Sequence, residues 1–203
     1  MAGDNPDDRS DFPPPMGTNL NFNTNVNNTI RPILKRPLKV MVSDRVRSGT
    51  GQWATRASVI AMCEAVPSWC YRPHQDSFDP NWGLSHKEFV EELHSVPFIV
   101  CAHGGGMDPS PKAWESVMAG TIPIIERSPL DDGYERLPVM FVDNWAKDLF
   151  ENPDAVALLE SWREKLAPFY EEGSALRKRT LRVSLQVKFV VCMHGLYFGF
   201  CTF

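Results

Sequence analysis

Short apolar runs alternate with amphipathic segments along the middle of the chain. The runs at 97–101, 121–125 and 139–142 are almost wholly apolar, which is typical of strands buried on both faces of a parallel sheet. The segments between them space apolar residues by three or four, as helices do. Strands alternating with helices predict an α/β fold, with a single Rossmann-like parallel sheet of about four or five strands and helices on both faces.

Local signals set the boundaries of these elements. Ser85 followed three residues later by Glu88 predicts a capping box. Ser110 before Pro111 predicts a helix start, and Gly120 predicts the end of that helix. The predicted strands are 38–42, 69–72, 97–101, 121–125 and 139–142, and the predicted helices are 52–66, 87–94, 111–119, 129–136, 154–166 and 169–179.

Composition divides the chain into three parts. Residues 1–36 are rich in Pro, Asn and Asp, and such a lead is expected to be disordered. Residues 37–181 contain the alternating elements and form the predicted Rossmann-like domain. Residues 182–203 are an apolar, aromatic tail whose order the pattern leaves open.

Charge and targeting signals exclude some classes of function. The formal net charge of -4 over 203 residues argues against broad binding to nucleic acid, although a local basic pocket remains compatible with it. We find no basic segment followed by an apolar run at the N-terminus, and no run of about 20 apolar residues that would span a bilayer.

The five cysteines show no C-x-x-C pair. Their odd number and scattered spacing predict buried thiols rather than a disulfide framework or a zinc site. A bridge between Cys63 and Cys70 remains open if the chain is in a luminal compartment.

A glycine-rich turn joins the third predicted strand to the following helix. The residues of this turn that are candidates for anion binding are His103, Gly104, Gly105, Gly106 and Ser110. In open α/β sheets ligands bind at the carboxyl ends of strands, and N–H groups at a helix start can face an anion. A tight turn that needs glycine only for its geometry, and a histidine bonded to backbone, are the alternatives.

Charged side chains near this turn complete the candidate site. Glu115 lies on the helix that leaves the turn, where a carboxylate can accept hydrogen bonds from ribose hydroxyls. Arg45, Arg47 and Lys112 are candidates to bind a diphosphate, although loop arginines are often simply solvated. The residues expected to border the same crevice are Glu126, Arg127 and Ser128. The sequence identifies no catalytic residue and no metal site.

The motifs of this segment resemble the C-terminal lobe of exostosin-like glycosyltransferases, and are similar to the C-terminal region of the ribitol xylosyltransferase group. The shared pattern is Trp-Glu-x-x-x-x-Gly, an Ile-Pro-Ile strand, Leu-Pro-Val, and Val-Asp-x-Trp. The matching residues are Trp114, Glu115, Gly120, Ile122, Pro123, Ile124, Leu137, Pro138, Val139, Val142, Asp143 and Trp145. The match is strong over about 50 residues of this chain.

The resemblance implies a two-lobed GT-B architecture, of which this chain would form half. It implies that a UDP- or GDP-sugar is the donor substrate, with no tightly bound cofactor, and that the sugar passes to an acceptor glycan or glycoprotein. Glu115 would hold the ribose, and the turn from His103 to Ser110 would hold the diphosphate. The Golgi or another secretory compartment is implied in the same way.

Two departures from the family pattern matter. Lys112 only approximately occupies the position where many relatives have arginine. The residues before the first strand are too few for a second lobe, so we expect a missing N-terminal lobe or a partner chain. A non-catalytic nucleotide-sugar-binding domain, or a structural protein derived from this fold, are the rival hypotheses.

Overall fold

The computed structural model describes residues 31–44, 52–73, 84–103 and 111–183. Its centre is a five-stranded sheet with the order β2-β1-β3-β4-β5, and every neighbouring pair is parallel. The strands are β1 (Val40–Met41), β2 (Cys70–Tyr71), β3 (Phe98–Val100), β4 (Ile122–Glu126) and β5 (Met140–Val142). The predicted α/β fold with one Rossmann-like parallel sheet is confirmed.

Helices pack on both faces of this sheet. They are α1 (Gln52–Ala65), α2 (His86–Ser95), α3 (Pro111–Ala119) and α4 (Ala155–Tyr170), with shorter helical turns at Ile33–Lys35, Asp131–Gly133 and Ala146–Phe150. Residues 175–183 are also helical. Among the helices of the described residues, none has the length and apolar composition needed to cross a bilayer.

The alternation of side chains along the strands divides the core into two clusters. Val40 and Val42 pack with residues of α1 and α4 on one face, whereas Met41 packs with residues of α2 and α3 on the other. Both faces of the central strands are therefore covered, which explains why their sequences are continuously apolar rather than alternating.

Two of the predicted helix signals are present, whereas Ser110, the predicted cap of α3, lies outside the described residues. The Ser85 hydroxyl accepts from the Glu88 backbone N–H at 3.3 Å, and the Glu88 carboxylate accepts from the Ser85 backbone N–H at 2.8 Å. This reciprocal pair is the capping box of α2. Gly120, with φ of 88°, follows α3 in the left-handed conformation that ends helices.

Several predicted elements differ in extent. The strands predicted over 38–42, 69–72 and 97–101 are shorter, and the helix predicted over 169–179 is interrupted at 171–174 and resumes at 175. The helix expected over 129–136 is only the 3-10 turn Asp131–Gly133, because the Asp131 carboxylate accepts from the Ser128 N–H at 2.9 Å and fixes a tight turn there. The helix expected to stop at 166 continues through Pro168 to Tyr170. The Tyr170 hydroxyl, which is buried, donates to the Pro138 carbonyl at 2.6 Å and holds this last turn against the sheet.

Packing at the amino edge of the sheet begins before residue 37. Ile33 is in the core and Arg36 is buried. The Arg36 guanidinium donates to the carbonyls of Leu93 and Val96 at 3.1 and 2.9 Å, which lie at the C-terminal end of α2. Burial, together with the nearby Arg177 charge, lowers the Arg36 pKa to about 10.

A disulfide joins Cys63, near the end of α1, to Cys70, at the start of β2. The expectation of free thiols is therefore wrong for this pair. The Cys70 N–H donates to the Val66 carbonyl at 3.0 Å, and this tight return of the chain brings the two Cα atoms to 5.3 Å. Cys101 keeps its thiol and is buried, while Cys192 and Cys201 lie outside the described residues.

We expect the double substitution of Cys63 and Cys70 by Ala to lower the free energy of unfolding by about 2 kcal/mol, because the bridge closes a short loop in the unfolded chain. Urea denaturation with and without dithiothreitol measures this effect. The double variant is the control: dithiothreitol should lower the free energy of unfolding of the wild type and leave that of the variant unchanged. Equal sensitivity of both proteins to the reductant would contradict the assignment.

Candidate functional site

The carboxyl ends of the strands bring polar side chains to one edge of the sheet. Asp44 follows β1, His103 follows β3, Glu126 ends β4, and Trp145 follows β5. Helix α3 begins at this same edge, because it follows the turn that leaves β3. The topology therefore collects these groups where ligands bind in open α/β sheets.

Asp44 is the centre of the cluster. Its side chain is fully buried, and its Oδ1 atom lies 2.5 Å from Lys112 Nζ and 3.5 Å from Arg56 Nε. Arg56 is on α1 and Lys112 is on the first turn of α3, which cover opposite faces of the sheet. One buried carboxylate thus draws two cations together from both sides of the β1 end.

Two buried oxygen atoms in this region have no hydrogen-bond partner among the described residues. They are Asp44 Oδ2 and Ser43 Oγ. In proteins, a buried polar atom left without a hydrogen-bond partner destabilises the fold by about 1–3 kcal/mol. Native structures satisfy such atoms with water, a ligand or another part of the chain.

Arg56 also holds the chain that leaves β3. Its Nε donates to the His103 carbonyl at 2.9 Å, and a second guanidinium nitrogen donates to the Ala102 carbonyl at 3.5 Å. The sequence analysis missed Arg56. Its signal was its spacing, because it lies one helical turn before the core residues Val59 and Ile60, on the stripe that faces the sheet.

Lys112 is at the predicted edge, but its ammonium group is paired with Asp44 instead of being an isolated cation. Glu115 lies one turn further along α3 and is half-buried. Within the described part of the chain, its carboxylate has no hydrogen bond and no ion pair. Trp114 packs under it, stacked on Tyr134 with ring centroids 4.5 Å apart, so Glu115 is left on the outer side of α3.

The side chains of Glu126 and Arg127 point to opposite faces of the sheet at the end of β4. The Arg127 guanidinium lies over the Phe141 ring, 4.7 Å from its centroid, and pairs with Asp131 and Asp143 at 3.1 and 3.3 Å. Successive strand residues point to opposite faces, so Arg127 lies on the face of Phe141 and α3, and its place at the border of the crevice stays a prediction. Ser128 belongs to the following turn, where its N–H donates to Asp131.

Glu126 has a perturbed carboxyl group. Burial raises its pKa above the ordinary value of 4.5, while the Trp145 indole and the His103 charge lower it by smaller amounts. The buried Trp145 indole nitrogen has no hydrogen bond of standard geometry in the described residues. It therefore acts on Glu126 from nearby without an aligned bond.

Six predicted site residues cannot be placed. Gly104, Gly105, Gly106, Ser110, Arg45 and Arg47 lie outside the described residues, and their roles stay predictions. Among the described residues, no three side chains of the types His, Cys, Asp and Glu converge as metal ligands. A depression of about 320 Å³ lies beside the Cys63–Cys70 bridge, away from these strand ends, and is not the candidate site.

Comparison with known proteins adds no assignment. No family model matches this chain, and no curated protein is significantly similar to it. What the structure establishes is the class, a Rossmann-like α/β domain with a charged cluster at the carboxyl edge of its sheet.

We expect Asp44→Asn to lower the free energy of unfolding by about 3 kcal/mol, because it leaves two nearly buried cations without their counter-ion. Chemical denaturation measures the change. Glu91→Gln is the matched control: it breaks the exposed pair with Lys87, 3.8 Å apart, and should change stability by less than about 1 kcal/mol. Equal effects of the two substitutions would refute the central role of Asp44.

Proposed function

We propose that this chain is a glycosyltransferase-like domain that binds a nucleoside diphosphate sugar at the carboxyl edge of its sheet and transfers the sugar to an acceptor glycan or glycoprotein. The observation on which this depends is the cluster of Asp44, Arg56 and Lys112. It supplies fixed positive charge where ligands of α/β sheets bind.

The charge balance of the cluster favours an anion. Arg56 and Lys112 both contact the one Asp44 carboxylate, so cations outnumber carboxylates among the described residues of this cluster. The N-terminal end of α3, which is nine residues long, adds its favourable dipole at the same edge. Arginine can bind phosphate oxygens through two parallel hydrogen bonds, and its guanidinium here is already oriented by Asp44 and the His103 carbonyl.

Glu115 supports the nucleoside half of the proposal. It follows Lys112 by three residues, a rise of about 4.5 Å along the helix. A carboxylate at that height, without a partner among the described residues, is free to accept hydrogen bonds from ribose hydroxyls while the diphosphate lies nearer the start of α3. An acidic residue plays the same part in dinucleotide-binding sheets.

The chemistry of the proposed reaction is mainly electrostatic. Negative charge develops on the diphosphate as its bond to the sugar breaks. Arg56 and Lys112, preorganised by a buried carboxylate, stabilise that charge without having to reorient. The acceptor would be presented by a second lobe or a partner chain, as the family resemblance implies.

The disulfide supports the proposed compartment. Structural disulfides persist in oxidising environments such as the secretory pathway and are rare in the cytosol. The bridge between Cys63 and Cys70 therefore fits the Golgi or another secretory compartment, which the resemblance implies independently.

We expect UDP- or GDP-sugars to protect the protein against heat, with a gain of about 2.7 kcal/mol when the ligand is at 100 times its Kd. Glu115→Ala should largely abolish this gain by removing the ribose contact, and Arg56→Gln should weaken binding at least about tenfold by removing a diphosphate contact. Thermal-shift titrations across a panel of sugar nucleotides measure these effects.

Glu164→Ala is the matched control, since Glu164 is an exposed helix glutamate on α4. It should leave the ligand-induced shift unchanged. The proposal fails if no sugar nucleotide protects the wild type, and the ribose role fails if Glu115→Ala is protected as well as the wild type.

A further inference from the structure

Glu126 is an ionisable group at the end of a central strand. Ile122 and Ile124, which precede it on the same face of β4, are fully buried in the core, whereas Glu126 is partly exposed. Its register partner on β5 is Val142, and the Ile124 carbonyl accepts from the N–H of Cys101, just after β3. The carboxyl group therefore lies between the chain segments that leave β3 and β5.

This carboxyl group is not compensated as Asp44 is. Among the described residues, the Glu126 side chain has no ion pair and no hydrogen bond of standard geometry. Its chain neighbour Arg127 is engaged elsewhere, with Asp131 and Asp143. Burial accordingly raises the Glu126 pKa, since the influences of Trp145 and His103 are smaller. A carboxylate with a purely structural role usually has the opposite property, a partner that stabilises its charge.

The other charged groups around Glu126 in the described part of the chain have identified contacts. His103, after β3, is the titratable group that acts on it. Asp143, after β5, is exposed and pairs with Arg127, and Asp148 accepts from the N–H groups of Asp143 and Asn144. On α1, Arg56 is held by Asp44 and by the carbonyl of His103.

Glu126 and the cation cluster lie at the ends of different strands, β4 and β1, and the strand spacing sets the distance between these ends. Neighbouring strands lie about 4.8 Å apart, so the ends of β1 and β4, with β3 between them, are about 10 Å apart. That separation leaves room for one sugar ring. A diphosphate bound by Arg56 and Lys112 would place its sugar toward the end of β4.

We propose that Glu126 is the general base of this site. Its carboxylate takes the proton from the acceptor hydroxyl, whose oxygen forms a bond to the anomeric carbon of the donor sugar. The bond between that carbon and the diphosphate oxygen breaks, and its electron pair leaves with the diphosphate. This assignment rests on the proposed function, and it gives the two carboxylates different roles: Asp44 orients the cations, and Glu126 accepts the proton.

Glu126→Gln tests the assignment, because it keeps the shape of the side chain and removes its basicity. The measurement is release of UDP or GDP with water as the acceptor, using the sugar nucleotide that gives the largest thermal shift. We expect the rate to fall at least about 100-fold while the thermal shift is unchanged. Asp143→Asn, which removes an exposed carboxylate at the same edge, should leave both quantities unchanged.

The pH dependence of the rate adds a readout that a structural residue would not give, and the pH dependence of stability checks the raised pKa itself. Because the folded protein raises the Glu126 pKa, it binds this proton more tightly than the unfolded chain does, and the wild type loses stability as the pH rises from about 4.5 through the raised value. Glu126→Gln should therefore melt higher than the wild type at pH 7 but not at pH 4. The wild-type rate should rise over the same pH range, and the variant should lack that rise.

The outcomes separate this assignment from the donor site itself. A Glu126→Gln variant that releases nucleotide at the wild-type rate, or that loses the thermal shift in parallel, overturns the role as base. A wild type that binds the donor but releases nothing also overturns it, while donor binding stands. A wild type that no sugar nucleotide protects refutes both.

Discussion

The arrangement of this protein depends on one buried charge. Asp44 lies at the end of β1 with its side chain removed from solvent, and it contacts Arg56 from one face of the sheet and Lys112 from the other. A carboxylate in that position is tolerable only with such partners. The need to compensate it fixes the starts of α1 and α3 relative to the strand ends, and Arg56 extends the constraint to the chain that leaves β3.

Polar groups at the two edges of the sheet differ in their hydrogen-bond partners. At the amino edge, Arg36 and Arg177 donate to carbonyl groups at the C-terminal ends of α2 and α3, so each cation complements a helix end. At the carboxyl edge, Asp44 Oδ2 lacks a partner among the described residues, and Glu126 is left without a cation. The buried carboxylate oxygen without a partner among the described residues is therefore at the carboxyl edge.

The two residues of the Trp-Glu motif on α3 have different roles. Trp114 is buried against the sheet and stacks on Tyr134, which anchors the helix. Glu115, the next residue, is turned away from that core and remains half-buried on the outer side. The aromatic residue thus fixes the position from which the carboxylate would contact a nucleoside. The motif has a structural half and a half that is available for binding.

The sequence by itself determined the elements and their class. Apolar runs, the capping box at Ser85 and the left-handed Gly120 depend on neighbouring residues, so the parallel sheet and most helix bounds could be predicted. Only the tertiary structure decided the contacts between distant segments. The pairing of Lys112 with Asp44 spans 68 positions, and the Cys63–Cys70 bridge needs the return of the chain after α1. Such contacts depend on how whole elements dock, and local periodicity contains no information about that.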